Sequence, residues 1–304
     1  MKIPAFEKTN MLTPTSKERL TSRPVVVLLL FLVTMTVAEL GRALLALPCT
    51  LLIPNGMTGS RYLLISLFAT TATVAVVLVY CLAMERRTLA SLGFIRRGAV
   101  NEYAVGLLAG LGLFGLPVLL CVVTGAVTLS PAAHTSSLIL LPLFFVGFLI
   151  QGMSEEMLCR SYLMVSLARK WPLWACAVTN ALIFSLIHLG NPGVTVIALI
   201  NIFLFGLFAS LLTLRRGSIW MVGAIHSMWN FAQGNLFGIP VSGLVGSPSP
   251  LVAKMGEEGW QSMVNGGSFG LEGGLAVTVV LAAACVVVAF ASTKRSEVVA
   301  EDHA

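Results

Sequence analysis

The chain has 304 residues, of which 57% are hydrophobic and only 11% charged, and its mean hydropathy is +0.92. A soluble domain carries roughly 25% charged residues, so a water-soluble globular fold is excluded and the main solvent is lipid. The net charge of +6 does not point to nucleic acid, because the Lys and Arg residues fall between apolar runs and form no basic face.

Apolar runs follow one another at about 25–47, 61–84, 103–127, 138–169, 171–189, 194–214, 218–238 and 275–292. Each is at or above the roughly 18–20 residues that cross a bilayer as a helix, the fourth well above it. Backbone groups in lipid must bond within their own segment, and no run alternates like a barrel strand. The expected fold is all-α, a polytopic membrane protein of about eight transmembrane helices. Punctuation agrees: Pro48 and Pro54 follow the first run, Pro131 the third, Pro172 opens the fifth, and Gly190, Asn191 and Pro192 close it. The first run begins after about 24 residues, is too long for a signal-peptide core and lacks a small-residue cleavage site, so it is expected to stay as a signal anchor. Cys49, Cys81, Cys121, Cys159, Cys176 and Cys285 show no metal or redox spacing and read as small apolar residues.

Basic residues set the expected orientation. Lys2, Lys8, Lys17, Arg19 and Arg23 precede the first run, and Arg86, Arg87, Arg96 and Arg97 occupy the second connection. Arg169 and Lys170 lie in the fourth connection, Arg215 and Arg216 in the sixth, and Lys294 and Arg295 in the tail, whereas the odd-numbered connections hold Arg61 and Lys254. Both termini are therefore expected on the cytoplasmic side, of the plasma membrane in a bacterium, which requires an even number of spans. There is no internal repeat. The Gly-rich piece 239–274, with Trp260 near its centre, reads as an interfacial loop.

Charges inside apolar runs are costly and need a reason. Glu39 and Arg42 stand three apart, the spacing of a helical ion pair near the outer interface. In the fourth run Glu156 and Arg160 share a helix face at i,i+4, while the adjacent Glu155 points about 100° away and is left unpaired. An unpaired carboxylate in a dry site suits a general base. In the fifth run Asn180, Phe184 and His188 form one stripe; in the seventh, His226 and Asn230 are one turn apart. A lone histidine on an apolar helix is usually a core residue. Two of them together with two glutamates supply a carboxylate to take a proton from water, an imidazole to hold that water, and an imidazole and an amide to donate to an oxyanion. The same Glu155, His188 and His226 also make a zinc ligand set with an open position for water, and the residues alone leave both routes open. His134, in an external loop, and His303, in the tail, receive no role. No Gly-x-Ser-x-Gly elbow or intramembrane Asp supports serine catalysis.

EEMLCR (Glu155, Glu156, Arg160), FSLIH (Phe184, His188) and HSMWN (His226, Asn230) read in order as EExxxR, FxxxH and HxxxN. On separate membrane helices they resemble the CPBP intramembrane metalloproteases, which include type II CAAX prenyl endopeptidases and Abi-like bacteriocin-processing or immunity proteins. The resemblance covers about 150–235, with an echo in RTLASLGF at 87–94; Ser161 stands where many members have Gly. It implies a membrane endopeptidase in which Glu155 activates water with His188, His226 and Asn230 stabilise the oxyanion, and Glu156 and Arg160, with Phe184, support the site. The expected organisation is a cytoplasmic arm at 1–24, one membrane domain at 25–292 with its catalytic core at about 138–238, and a cytoplasmic tail at 293–304. The expected partners are a membrane-associated peptide or protein substrate and the bilayer, with Zn2+ left open as a cofactor. A rival reading gives the same polar residues to a transporter or a non-catalytic immunity protein, but the repeats and broken spans of a transporter are missing.

Overall fold

A computed structural model describes residues 9, 11–13, 18–19, 23–52, 59–133 and 136–291. Pro54, His134, His303 and the 293–304 tail lie outside them, as does most of the N-terminal arm. The helices are α1 (Pro24–Leu52), α2 (Gly59–Ala69), α3 (Thr71–Leu78), α4 (Ala99–Val123), α5 (Leu141–Glu156), α6 (Val165–Leu167), α7 (Leu173–Leu186), α8 (Val196–Arg216), α9 (Trp220–Phe231), α10 (Gly259–Asn265) and α11 (Leu275–Phe290). All eight apolar runs of the sequence are mainly helical. Five helical runs, Pro24–Cys49, Gly59–Met84, Ala99–Val123, Ser137–Leu167 and Val196–Arg216, are long and apolar enough to cross a membrane. The other three are shorter: α7 has 14 residues, α11 has 16, and α9 has 12 followed by a five-residue π-turn at Ala232–Leu236.

Local departures from the sequence reading have physical causes. Pro48 does not end the first helix, which runs through it to Leu52. A proline removes one backbone donor and bends a helix without always breaking it, and Pro117 does the same inside α4. The 239–274 piece is more ordered than a simple interfacial loop. Its Leu251–Met255 strand (β2) pairs antiparallel with Val127–Pro131 (β1), Val127 opposite Met255 and Pro131 opposite Leu251. This pairing satisfies backbone groups of both connections.

α9 is the central rod, packed against α4 on one side and α5 on the other, while α8 packs between α7 and α11. Small residues let the backbones approach. A Cβ on Gly152 of α5 would lie 2.5 Å from Ser227 Oγ and 2.7 Å from Ser227 N on α9, and one on Gly110 of α4 would lie 2.6 Å from Ile225 O. In lipid, where apolar burial hardly drives helix association, such close packing carries much of the binding between helices. It brings the polar faces of α5 and α9 together.

Candidate active site

The helix that carries the glutamates is continuous through Arg160, as expected, but its geometry changes there: α-helical to Glu156, π-helical from Met157 to Met164, then α-helical again. π-turns disturb the regular ladder and recur at functional sites. Glu156 and Arg160 are fully buried and paired at 3.0 Å. Arg160 also donates to Gly206 O on α8 at 3.2 Å and sets its guanidinium 4.4 Å from the centre of the Phe184 ring. The pairing inferred from spacing is thus present, with an addition: Glu156 Oε1 also meets His226 Nδ1 at 2.8 Å. Glu156 therefore orients His226 as well as its own helix.

His188 is not within the helix as the stripe implied. α7 stops at Leu186, and His188 sits in the following turn, its N–H bonded to Ser185 O at 3.1 Å. Its ring Nδ1 lies 2.7 Å from Phe184 O, a carbonyl at the open end of the helix. The ring caps an otherwise orphaned acceptor, and this fixes which nitrogen faces the site: Nδ1 must carry the proton it donates to the carbonyl, so Nε2 is left for other work.

Glu155, His188, His226 and Asn230 all line one cavity of about 390 Å³, together with Phe184 and Gln151. Glu155 Oε2 stands 3.7 Å from His226 Nε2, too long for a direct hydrogen bond. A separation of this size is one that a single water oxygen can bridge. Glu155 Oε1 accepts from Gln151 Nε2 at 2.6 Å, and Gln151 Oε1 accepts from Asn230 Nδ2 at 3.0 Å. Phe184 forms an aromatic wall, its ring centroid 4.8 Å from that of His188 and 6.0 Å from that of His226.

Each histidine engages its Nδ1 with a protein acceptor, as ligating histidines do, but among the described residues no group of three His, Cys, Asp or Glu side chains is arranged to hold an ion. As placed, Glu155, His188 and His226 do not fit the zinc set.

Other polar residues fall in unforeseen places. Asn180 is buried and donates to Ser210 Oγ at 2.9 Å, a structural bond away from the cavity. Glu39 and Arg42 pair at 2.7 Å as spacing implied, but both also line the cavity. Glu272, from the Gly-rich piece, lines it too, and its carboxylate accepts from Ser242 N at 2.9 Å, Ser242 Oγ at 2.7 Å and Trp229 Nε1 at 3.2 Å. Gln151 was legible in principle, one helical turn before Glu155. Nothing in the sequence marked Glu272.

The RTLASLGF echo is physically tied to the site helix. Buried Arg87 donates to Ser91 O and Ser161 O, each at 2.8 Å, and Ser161 Oγ donates to Leu92 O at 2.6 Å. Ser161 thus contributes a side-chain bond that a glycine there would lack. Beside this clamp, burial holds the Glu85 carboxyl above its ordinary value, against the opposing pull of Arg87 at 3.7 Å.

Residues 136–232 match the family model of Rce1-like type II CAAX prenyl endopeptidases. That stretch runs from just before α5 to just past α9 and contains every residue of the EExxxR, FxxxH and HxxxN motifs, though not the RTLASLGF segment. No curated protein and no solved structure matches the chain. The match, over about a third of the chain, is consistent with a protease of the CPBP family, and the several long apolar helices support an integral membrane protein.

Proposed function

We propose that this protein is an intramembrane endopeptidase that cleaves a membrane-anchored peptide by direct attack of water. The reading is supported by the convergence of Glu155, His188, His226 and Asn230, from three elements, on one cavity within the Rce1-like segment. Glu155 takes a proton from water as the water oxygen bonds to the scissile carbonyl carbon, with His188 Nε2 holding that water. The carbonyl electron pair moves onto its oxygen, and His226 and Asn230 donate to the oxyanion. Because His226 Nδ1 is committed to Glu156, donation from Nε2 requires the doubly protonated ring, held between Glu156 and Glu155. When the intermediate collapses, the C–N bond breaks and Glu155 returns its proton to the leaving nitrogen, releasing a carboxyl terminus and an amine.

In this reading the shorter helices α7, α9 and α11 complete eight spans around the cavity, with both termini cytoplasmic by the positive-inside rule. The name of the matched family speaks of prenylated CAAX substrates, so a prenylated peptide is the first candidate. The test is cleavage of quenched-fluorescent peptides, prenylated and unprenylated, by the purified protein in lipid nanodiscs. Cleavage of an anchored peptide is expected; inertness toward all of them overturns the reading.

A further inference from the structure

Gln151 is assigned no part by the motifs, yet its amide bonds a motif residue on each side of the α5–α9 contact, Glu155 and Asn230. It lies one turn ahead of Glu155 on α5 and faces the same cavity. Its amide nitrogen is 2.6 Å from Glu155 Oε1, and its carbonyl oxygen is 3.0 Å from Asn230 Nδ2 on α9. An ionised carboxylate only accepts, so the Gln151 –NH2 must point to Glu155, which leaves its carbonyl for Asn230 and turns the Asn230 –NH2 toward Gln151. One orientation of three groups follows from one charge. The alternative flip of either amide would set acceptor against acceptor.

Two consequences follow for chemistry. With Oε1 bonded to Gln151, Oε2 is the Glu155 oxygen that lies beside His226 Nε2 at 3.7 Å, so the oxygen that the base turns toward the imidazole is defined. With one Asn230 N–H spent on Gln151, the amide nitrogen keeps its second N–H, and its carbonyl is held away from that donor position, so Asn230 meets an oxyanion as a donor and not as an acceptor. We infer that Gln151 is a positioning residue that fixes, through one amide, both the reacting oxygen of Glu155 and the donor orientation of Asn230; this rests on the peptidase reading.

The test uses the full-length protein in nanodiscs with the same fluorescent peptides. Gln151→Met keeps the volume and loses both bonds; Gln151→Glu keeps the acceptor for Asn230 but sets a second carboxylate against Glu155. Both are expected to lower kcat about 10- to 100-fold with KM within about threefold, Gln151→Glu more deeply. In an Asn230→Ala background Gln151→Met should cost distinctly less than in the parent, because one of its two partners is already gone. Infrared spectra give a second readout independent of turnover: the carboxylate bands identified by their loss in Glu155→Gln should shift in Gln151→Met. Unmoved bands, an unchanged kcat, or a rise in KM alone would overturn the inference while leaving the peptidase reading standing. A parent protein that cleaves no peptide sinks the peptidase reading and the positioning role with it, and the infrared shift then reports the contact alone.

Discussion

Glu156 Oε1 lies 2.8 Å from His226 Nδ1 and 3.0 Å from Arg160 Nη1, so one buried carboxylate ties the first and third motifs together and ranks them by role. Glu156 is spent on structure. Glu155, one residue earlier, is free of any cationic side-chain bond at hydrogen-bond distance and faces the cavity, with about a quarter of its side chain (27%) exposed. The two adjacent glutamates therefore predict opposite mutational signatures.

Glu155→Ala and His188→Ala are expected to reduce peptide cleavage by at least about 10²-fold while purified yield and thermal midpoint stay near those of the parent. Neither side chain is fully buried, so truncation strands no charge. Turnover within a few-fold of the parent in either variant would remove that residue from the mechanism.

Arg160→Ala should behave differently. It leaves Glu156 buried with only the imidazole as partner, a loss of the kind that costs roughly 3–5 kcal/mol, and it also removes the bond to Gly206 O on α8. A large fall in the thermal midpoint along with activity is the expected result in nanodiscs. A variant as stable as the parent would mean that the pair is not a structural tie.

Gly152→Val tests how far the site depends on the α5 and α9 backbones touching. A Cβ there meets Ser227 N at 2.7 Å, and overpacking of this sort costs about 1–3 kcal/mol. Activity should fall more than stability, because the displacement separates Glu155 and Glu156 from His226. Normal cleavage kinetics would show that the approach is not needed.

Glu85 lies just beyond the Gly59–Met84 span and is held above its ordinary value by burial. A raised native value means that the folded state binds the proton more tightly. The stabilisation is therefore complete below the ordinary carboxylate value of about 4.3 and is lost as pH rises through the higher native one. Thermal midpoints of the parent should thus decline from about pH 4.5 upward by more than those of Glu85→Gln, whose side chain does not titrate. Parallel profiles for the two would refute the assignment.

Chelation provides a separate check on the side-chain mechanism. With Glu155, His188 and His226 placed as they are, dialysis against a chelator is expected to leave turnover within about twofold. A loss restored by Zn2+ would show that these donors close around an ion.

Lipid as solvent was legible from 57% hydrophobic and 11% charged residues, since backbone groups without water must bond inside helices whatever the side chains do. The motif residues were legible too, because Glu155, Glu156, His188, His226 and Asn230 are polar groups in apolar runs and each needed a reason. Spacing even paired Glu156 with Arg160 correctly, since i,i+4 contacts are local and survive the π-turn. What spacing could not supply was any relation across helices. Only the packing of α5 on α9, let in by Gly152, decides that Glu156 meets His226 and that Gln151 spans Glu155 and Asn230. Only the early end of α7 at Leu186 decides that the His188 ring caps a carbonyl and presents Nε2. Glu272 enters the cavity from a Gly-rich connection with no periodicity to announce it. Helix and membrane follow from composition and period, which the chain carries along its length. Which polar atoms face one another is set by interhelical contacts between residues some 70 to 80 positions apart, and no local pattern encodes those.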